Sequence, residues 1–80
     1  MNVQQAVIIR IEDLIRMNKM TVNELAMISA VPPSTLKNIL YGNSKNVGVI
    51  TIAKLCDGFN ITIREFFSVL LFKELDQEVF

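Results

Sequence analysis

The sequence predicts a small all-α domain, and three observations carry this prediction. Apolar residues recur at spacings of three and four along most of the chain, and no segment alternates in the manner of a half-buried strand. Thr21 with Glu24, and Thr62 with Glu65, match the spacing of a helix capping box. Pro33 suits the first turn of a helix that follows a tight break. We therefore expect a compact bundle of five helices.

Length and composition agree with one such domain over residues 1–80. A chain of 80 residues, 51% of them hydrophobic, can bury about 60% of its unfolded surface in a single core. We expect that core to occupy about residues 3–70 and to leave a short tail, residues 71–80. The longest apolar runs, such as residues 69–72, are far shorter than a membrane span, and the start of the chain lacks a signal-peptide pattern. We expect a soluble, cytoplasmic protein with no membrane contact, associated with the nucleoid if the source is bacterial.

The first helix is predicted over about residues 3–17, where Val7, Ile11, Leu14 and Ile15 form an apolar stripe. Two shorter helices follow within residues 21–42. The second helix begins after the Thr21 cap and has an apolar side formed by Leu25, Ala26 and Ile28. In the third helix Leu36, Ile39 and Leu40 are spaced to face inward, and Gly42 is expected just after the last turn.

The break between these two helices is short. Val31 precedes Pro32 and Pro33, and a residue before proline is disfavoured in the helical region. Two helices joined by so few residues can cross as a helix-turn-helix. Ala26 is small enough for the third helix to approach closely, and Val31 is placed to fill the corner between the two.

Two further helices are predicted downstream of a polar loop at residues 43–48. Thr51 is the expected cap of the fourth helix, which runs through Ile52, Leu55 and Cys56. Thr62 is the expected cap of the fifth. Its inner stripe is predicted to consist of Ile63, Phe66, Phe67 and Leu70.

Composition argues against an enzyme. The chain has one cysteine and no histidine, so it cannot form an internal disulfide and has no imidazole to serve as a metal ligand or general base. Cys56 is interpreted as a small core residue. The carboxylates are scattered, and no glycine-rich phosphate loop is present. We therefore expect no catalytic residue, no cofactor, no metal site and no small-molecule ligand.

Residues 10–67 resemble the Cro/C1-type (XRE, lambda-repressor-like) helix-turn-helix DNA-binding family. The matching positions are Thr21, Glu24, Leu25, Ala26, Val31, Ser34, Thr35, Leu36, Ile39 and Gly42. Two positions depart from the family pattern, which usually has glycine where Ala30 stands and often glutamine where Val22 stands. The resemblance implies a five-helix domain whose helix-turn-helix is formed by its second and third helices.

The resemblance also implies how DNA would be bound. The helix at residues 33–41 would enter the major groove and contact bases through Ser34, Lys37, Asn38 and Tyr41. Contacts to the DNA backbone would come from Asn23, Thr35, Asn43, Ser44, Lys45 and Asn46. The implied function is a small, sequence-specific regulator of transcription acting as a repressor. On these residues alone, without the surrounding pattern, a merely solvated polar face would be the favoured interpretation.

The overall charge is neutral, with eight basic and eight acidic residues. Residues 1–72 hold seven basic and five acidic side chains, a net of +2, so we expect few phosphate contacts in each subunit and a shallow dependence of binding on salt.

The tail is rich in apolar residues, and two interpretations of it stay open. Leu70, Leu71, Phe72 and Leu75 are predicted to form a homodimer interface, or else the tail folds back over its own core. Two other functions also remain possible on the sequence. One is the antitoxin half of a toxin–antitoxin pair, and the other is a helical adaptor that binds only proteins.

Overall fold

The structure, a computed structural model, describes residues 1–44, 46–73 and 75. Within these residues the chain forms α-helices and no strand, which confirms the all-α prediction. The helices are α1 (Val3–Met17), α2 (Val22–Ser29), α3 (Pro33–Leu40), α4 (Val49–Phe59), α5 (Ile63–Phe67) and α6 (Leu70–Lys73). Among them, no helix is both long and apolar enough to span a bilayer. The count exceeds the predicted five because the chain bends between α5 and α6.

Helix α1 has the predicted bounds, and a capping box that the sequence analysis did not identify fixes its start. The side-chain oxygen of Asn2 accepts a hydrogen bond from the Gln5 amide at 2.8 Å, and the Asn2 amide donates to Gln5 Oε1 at 2.9 Å. Ala6, Val7, Ile11 and Leu14 are buried on the inner face of this helix. The helix therefore lies against the core along its length.

One hydrophobic core joins the first five helices. Ile11, Leu25, Leu36, Leu55 and Phe66 are completely buried at its centre, one from each of these helices. Burial of a side chain of this size stabilises the fold by about 1.5–3 kcal/mol relative to exposure. Each of the five helices is therefore held by at least one anchor in the same core.

The buried face of α2 differs from the prediction at one position. Leu25 and Ala26 are buried as expected, but Ile28 is 54% exposed and Ser29 is buried in its place. Ser29 lies four residues after Leu25, on the same side of the helix. Its hydroxyl donates to the Leu25 carbonyl oxygen at 2.6 Å, so the buried hydroxyl has a partner. A serine is tolerated in the core because its hydrogen bond is made within its own helix.

Gly58 allows α4 to pack closely on this face of α2. A Cβ atom added at Gly58 would lie 3.0 Å from the Ser29 Cβ and 3.3 Å from Leu25 Cδ1. The Ser29 Cβ is attached directly to the backbone and cannot move aside without moving the helix. A side chain at position 58 would therefore force α2 and α4 apart by a few tenths of an ångström.

The predicted start of α4 is wrong by three residues. The helix begins at Val49 with Gly48 as its N-cap residue, and Thr51 lies inside the first turn. Glycine is among the residues accepted at an N-cap, and no side-chain cap hydrogen bond is present here. Helix α4 ends at Asn60, which adopts a left-handed conformation with a φ of 58°. The Ile61 amide then donates a 3.0 Å hydrogen bond to the Cys56 carbonyl, which closes the last turn.

The bend between α5 and α6 has a tertiary cause, because residues 63–73 contain neither glycine nor proline. Arg10 Nε donates to the Phe66 carbonyl at 2.8 Å, and a second guanidinium nitrogen donates to the Glu65 carbonyl at 3.0 Å. The guanidinium also lies 5.7 Å from the centroid of the Phe66 ring. Arg10 therefore occupies backbone acceptors that a continuous helix would use for its own hydrogen bonds.

After the bend, α6 packs against α1 and its Phe72 joins the core. The Phe72 ring lies 4.9 Å from Phe67 and 6.0 Å from Phe66, measured between centroids. The alternative that the tail folds back over its own core is therefore confirmed at Phe72. The predicted inner stripe of helix five is wrong at Ile63 and Leu70, which are 44% and 66% exposed. Of the tail, residues 74 and 76–80 lie outside the described part of the chain.

Cys56 is buried, as predicted for a core residue, and is 2% exposed. Burial raises the pKa of its thiol, and the neighbouring Asp57 carboxylate raises it further, while Arg10 acts in the opposite direction. A raised pKa keeps the thiol protonated and unreactive at neutral pH.

Substitution of Gly58 tests the close packing of α2 and α4. We expect Gly58→Val to lower the free energy of unfolding by about 1–3 kcal/mol, because the added atoms overpack a contact that is already tight. Urea denaturation measures this change. Asp57→Val places the same side chain at the exposed neighbouring position and should change stability by less than about 0.5 kcal/mol. Equal effects of the two substitutions would show that the contact is not tight.

Candidate nucleic-acid interface

A tight corner of three residues joins α2 to α3. Ala30 adopts a left-handed conformation, with φ 58° and ψ 28°, at the end of α2. Val31 follows and is only 3% exposed, as is Ala26 in the middle of α2. The small Ala26 and the corner Val31 therefore lie in the core between the two helices, as the sequence analysis predicted for a helix-turn-helix.

The start of α2 is capped as predicted. The Glu24 amide donates to Thr21 Oγ1 at 3.1 Å, and the Thr21 amide donates to Glu24 Oε1 at 2.9 Å. This box uses the amides of Thr21 and Glu24, so the amides of Val22 and Asn23 remain as the N-terminal donors of the helix. The Asn23 side chain is exposed beside them. Amides at a helix N-terminus favour an anion such as a phosphate.

Helix α3 has one face in the core and the opposite face in solvent. Leu36 and Ile39 are buried, and Leu40 packs partly against the core. The four predicted base-contacting residues all have exposed side chains: Ser34, Lys37, Asn38 and Tyr41. Their spacing places them along one side of the helix. Thr35, predicted to contact the DNA backbone, is half-buried at the edge of that face.

The end of α3 is fixed by a backbone motif at Gly42. This residue has a φ of 77°, a conformation that glycine adopts without strain. Its amide donates to the Ile39 carbonyl at 3.1 Å, and the Asn43 amide donates to the Asn38 carbonyl at 2.9 Å. This pair of hydrogen bonds is the Schellman pattern. The predicted C-terminal role of Gly42 is confirmed, and the chain leaves α3 in a defined direction.

The loop after α3 is joined to α1 by a side-chain hydrogen bond. Gln4 Nε2 donates to the carbonyl oxygen of Ser44, whose side chain is half-buried. Asn43 and Asn46 are exposed on either side of it, and Lys45 lies outside the described residues. The hydrogen bond places this part of the loop next to the start of α1.

The exposed face of α3 is suited to contacts with base edges. It carries one cation, Lys37, together with an amide and two hydroxyl groups. The Asn38 amide can donate and accept at the same time, which matches the pattern that adenine presents in the major groove. Hydroxyl groups can donate or accept with bases and phosphates alike. The chemistry of this surface is therefore hydrogen bonding more than charge.

Comparison with known families agrees with this geometry. Residues 10–69 match the sequence model of the Cro/C1-type HTH DNA-binding domain. The chain belongs to the Cro/C1-type helix-turn-helix DNA-binding family. The match contains the whole of α2, the corner and α3, so it covers the surface described above. No match was found among curated proteins or among solved structures.

Two features of this Cro/C1-type domain were not predicted as parts of the surface. Pro32 and Pro33 are both exposed at the tip of α3, whereas the sequence analysis used them only to place the break and the start of this helix. The hydrogen bond from Gln4 to the loop joins residues 40 positions apart, so no local pattern indicates it. The two prolines were recognisable from sequence, since a proline at the first helical position lies at the end of the helix by definition.

Ala30 gives a test of the corner in this Cro/C1-type domain. The left-handed region costs an L-residue other than glycine about 1–2 kcal/mol, so Ala30→Gly should raise the free energy of unfolding by about 0.5–1 kcal/mol. Thermal or urea denaturation measures the change. Ala53→Gly is the matched control within α4 and should destabilise by about 0.5–1 kcal/mol. A loss of stability at both positions would contradict strain at Ala30.

Proposed function

We propose that this Cro/C1-type protein is a sequence-specific, double-stranded DNA-binding regulator of transcription that acts as a repressor. Helix α3 enters the major groove, with its exposed face towards the base edges. The observation that carries the proposal is the two-sided character of α3. Leu36 is fully buried while Asn38, two residues later, is exposed. Because the inner side is anchored in the core, the outer side is presented rigidly to a partner.

Each side chain on the outer face of α3 contacts a different part of the DNA. Asn38 makes a bidentate contact with adenine through its amide. Lys37 reaches either guanine acceptors or a phosphate, and Ser34 bonds a base or a phosphate nearer the start of the helix. Tyr41 is 75% exposed at the other end, where its ring can pack on a sugar and its hydroxyl can reach a phosphate.

Contacts to the DNA backbone flank this helix on both sides. On one side, the N-terminal amides of α2 and the side chain of Asn23 hold a phosphate. On the other, the loop after α3 contributes Asn43, Ser44, Lys45 and Asn46. Thr35, at the edge of the face near the start of α3, adds a further backbone contact. Few of these groups are charged, so the salt dependence of binding is shallow.

The protein acts in the cytoplasm, as a homodimer on two symmetric half-sites. Symmetric operators are the usual partners of dimeric helix-turn-helix proteins. One of the four residues predicted to form the dimer contact, Phe72, packs against the core of its own subunit. We therefore assign the dimer contact to Leu70, Leu71 and Leu75. Leu70 supports this assignment because it is 66% exposed on α6. Two copies that each present this apolar side chain gain stability by covering it.

Selection of bound sequences from a random duplex pool tests this proposal. We expect a two-fold symmetric consensus with half-site centres about 34–36 Å apart. An asymmetric consensus would contradict the dimer, and a pool that shows no enrichment would contradict sequence-specific binding. A protein-binding adaptor would bind no duplex at any salt concentration, whereas a DNA-binding protein binds random duplex with an affinity that salt weakens.

Asn38→Ala should weaken binding to the selected site by about 1–3 kcal/mol, because the bidentate contact to adenine is lost. Binding to random duplex should change little, since Asn38 is assigned to bases and not to phosphates. Fluorescence anisotropy with both duplexes measures the difference. The variant should fold normally, because the side chain is exposed. Equal losses on the two duplexes would remove Asn38 from the base contacts.

Lysine substitutions provide the complementary comparison. We expect Lys45→Ala to weaken binding to the selected and the random duplex similarly and to lower the salt slope by about one unit, as for a lost phosphate contact. Lys54→Ala removes the same side chain from an exposed position on α4, outside the set of residues assigned to DNA. It should leave both affinities unchanged. A larger effect of Lys54→Ala than of Lys45→Ala would place the DNA on a different surface.

A further inference from the structure

Two consecutive prolines form the exposed tip of α3. Pro32 is the N-cap residue, with φ −55° and ψ 138°, and Pro33 is the first residue of the helix. Both side chains are exposed. Proline has no backbone N–H, so the first amides that the helix can offer belong to Ser34 and Thr35. The foremost surface of α3 therefore consists of ring C–H groups.

The tip is held rigidly in place. Val31, immediately before it, is 3% exposed in the corner, and the Leu36 amide donates to the Pro32 carbonyl at 3.0 Å. A proline ring also has almost no side-chain conformational freedom to lose on binding. An apolar contact made by this tip therefore carries little entropic cost.

The base edges in the major groove present one apolar group. Every base pair displays hydrogen-bond donors and acceptors there, and only thymine adds a methyl group. A proline ring placed against a donor or an acceptor would displace water without replacing its hydrogen bond, which is unfavourable. Against a thymine methyl group the same ring buries apolar surface on both sides.

We propose that Pro32 and Pro33 are specificity-determining residues that recognise thymine through its 5-methyl group. The inference rests on the proposed function, in which α3 enters the major groove, and adds that the tip of α3 also faces base edges there. Asn38 lies farther along the same helix and is assigned to adenine. The half-site is therefore rich in A·T pairs, with thymine methyl groups facing the tip of α3.

Replacement of thymine by uracil in the selected duplex tests the proposal, because it removes the methyl group and leaves base pairing intact. Each thymine is replaced in turn, and the affinity of the wild-type protein is measured by anisotropy. We expect one or two positions in each half-site at which uracil weakens binding about fourfold, the factor that corresponds to burial of one methyl-sized group. The remaining positions should show no change.

Pro33→Ala assigns the effect to the tip. Alanine is a good helix former at this position, and it removes most of the ring. At one of the sensitive positions this variant should bind thymine and uracil equally, and Pro32→Ala should do the same there or at the neighbouring position. Lys54→Ala is the control and should keep the full fourfold discrimination.

Several results would overturn the proposal. They are equal binding of thymine and uracil by the wild-type protein at every position, a selected site without thymine beneath the tip, and full discrimination retained by both proline variants. The uracil series uses wild-type protein, so a folding defect in a variant does not remove the test. Failure to bind any duplex would instead contradict the proposed function, which distinguishes the two failures.

Discussion

The anchorage of the α2–α3 corner in the core is the constraint on which the rest of the molecule depends. Each of these helices has only eight residues, and isolated helices of this length are not stable in water. Their helical state therefore comes from burial of Leu25 and Leu36 against α1 and α4, and Gly58 lets α4 come close enough to provide it. The same burial turns the polar side of α3 outward, so stability and recognition arise from one packing arrangement.

Neutral overall charge shapes how such a surface can bind DNA. A strongly basic protein gains affinity for any duplex through release of counterions, whereas a neutral one gains little in this way. The proposed contacts of α3 are consistent with that limit, since they rely on amide, hydroxyl and ring groups with a single lysine on the helix. Contacts to the bases therefore provide a large share of the affinity for the operator. Binding to random DNA, which lacks those contacts, is expected to be weak.

Most signals confined to a few neighbouring residues were predictable from the sequence, although the Asn2–Gln5 capping box and the Gly48 cap were missed. Tertiary effects were not predictable. The capping boxes at Thr21 and Thr62 and the glycine after α3 were identified because each depends on residues within one turn. The bend after α5 could not be identified, because its cause is Arg10, which lies 56 positions away from Phe66. For the candidate site, the sequence indicated which side chains of α3 are exposed, but not the link from Gln4 to the loop.

An NMR titration with a selected duplex tests the central claim most directly, because it reports every backbone amide at once. The account predicts the largest shift changes along α3 at Ser34, Lys37 and Asn38, and at the N-terminal amides of α2. Amides of the outer face of α1, such as that of Glu12, should change little. Large changes on the outer face of α1 or on α6, with α3 unaffected, would contradict the claim that the buried corner presents α3 to DNA.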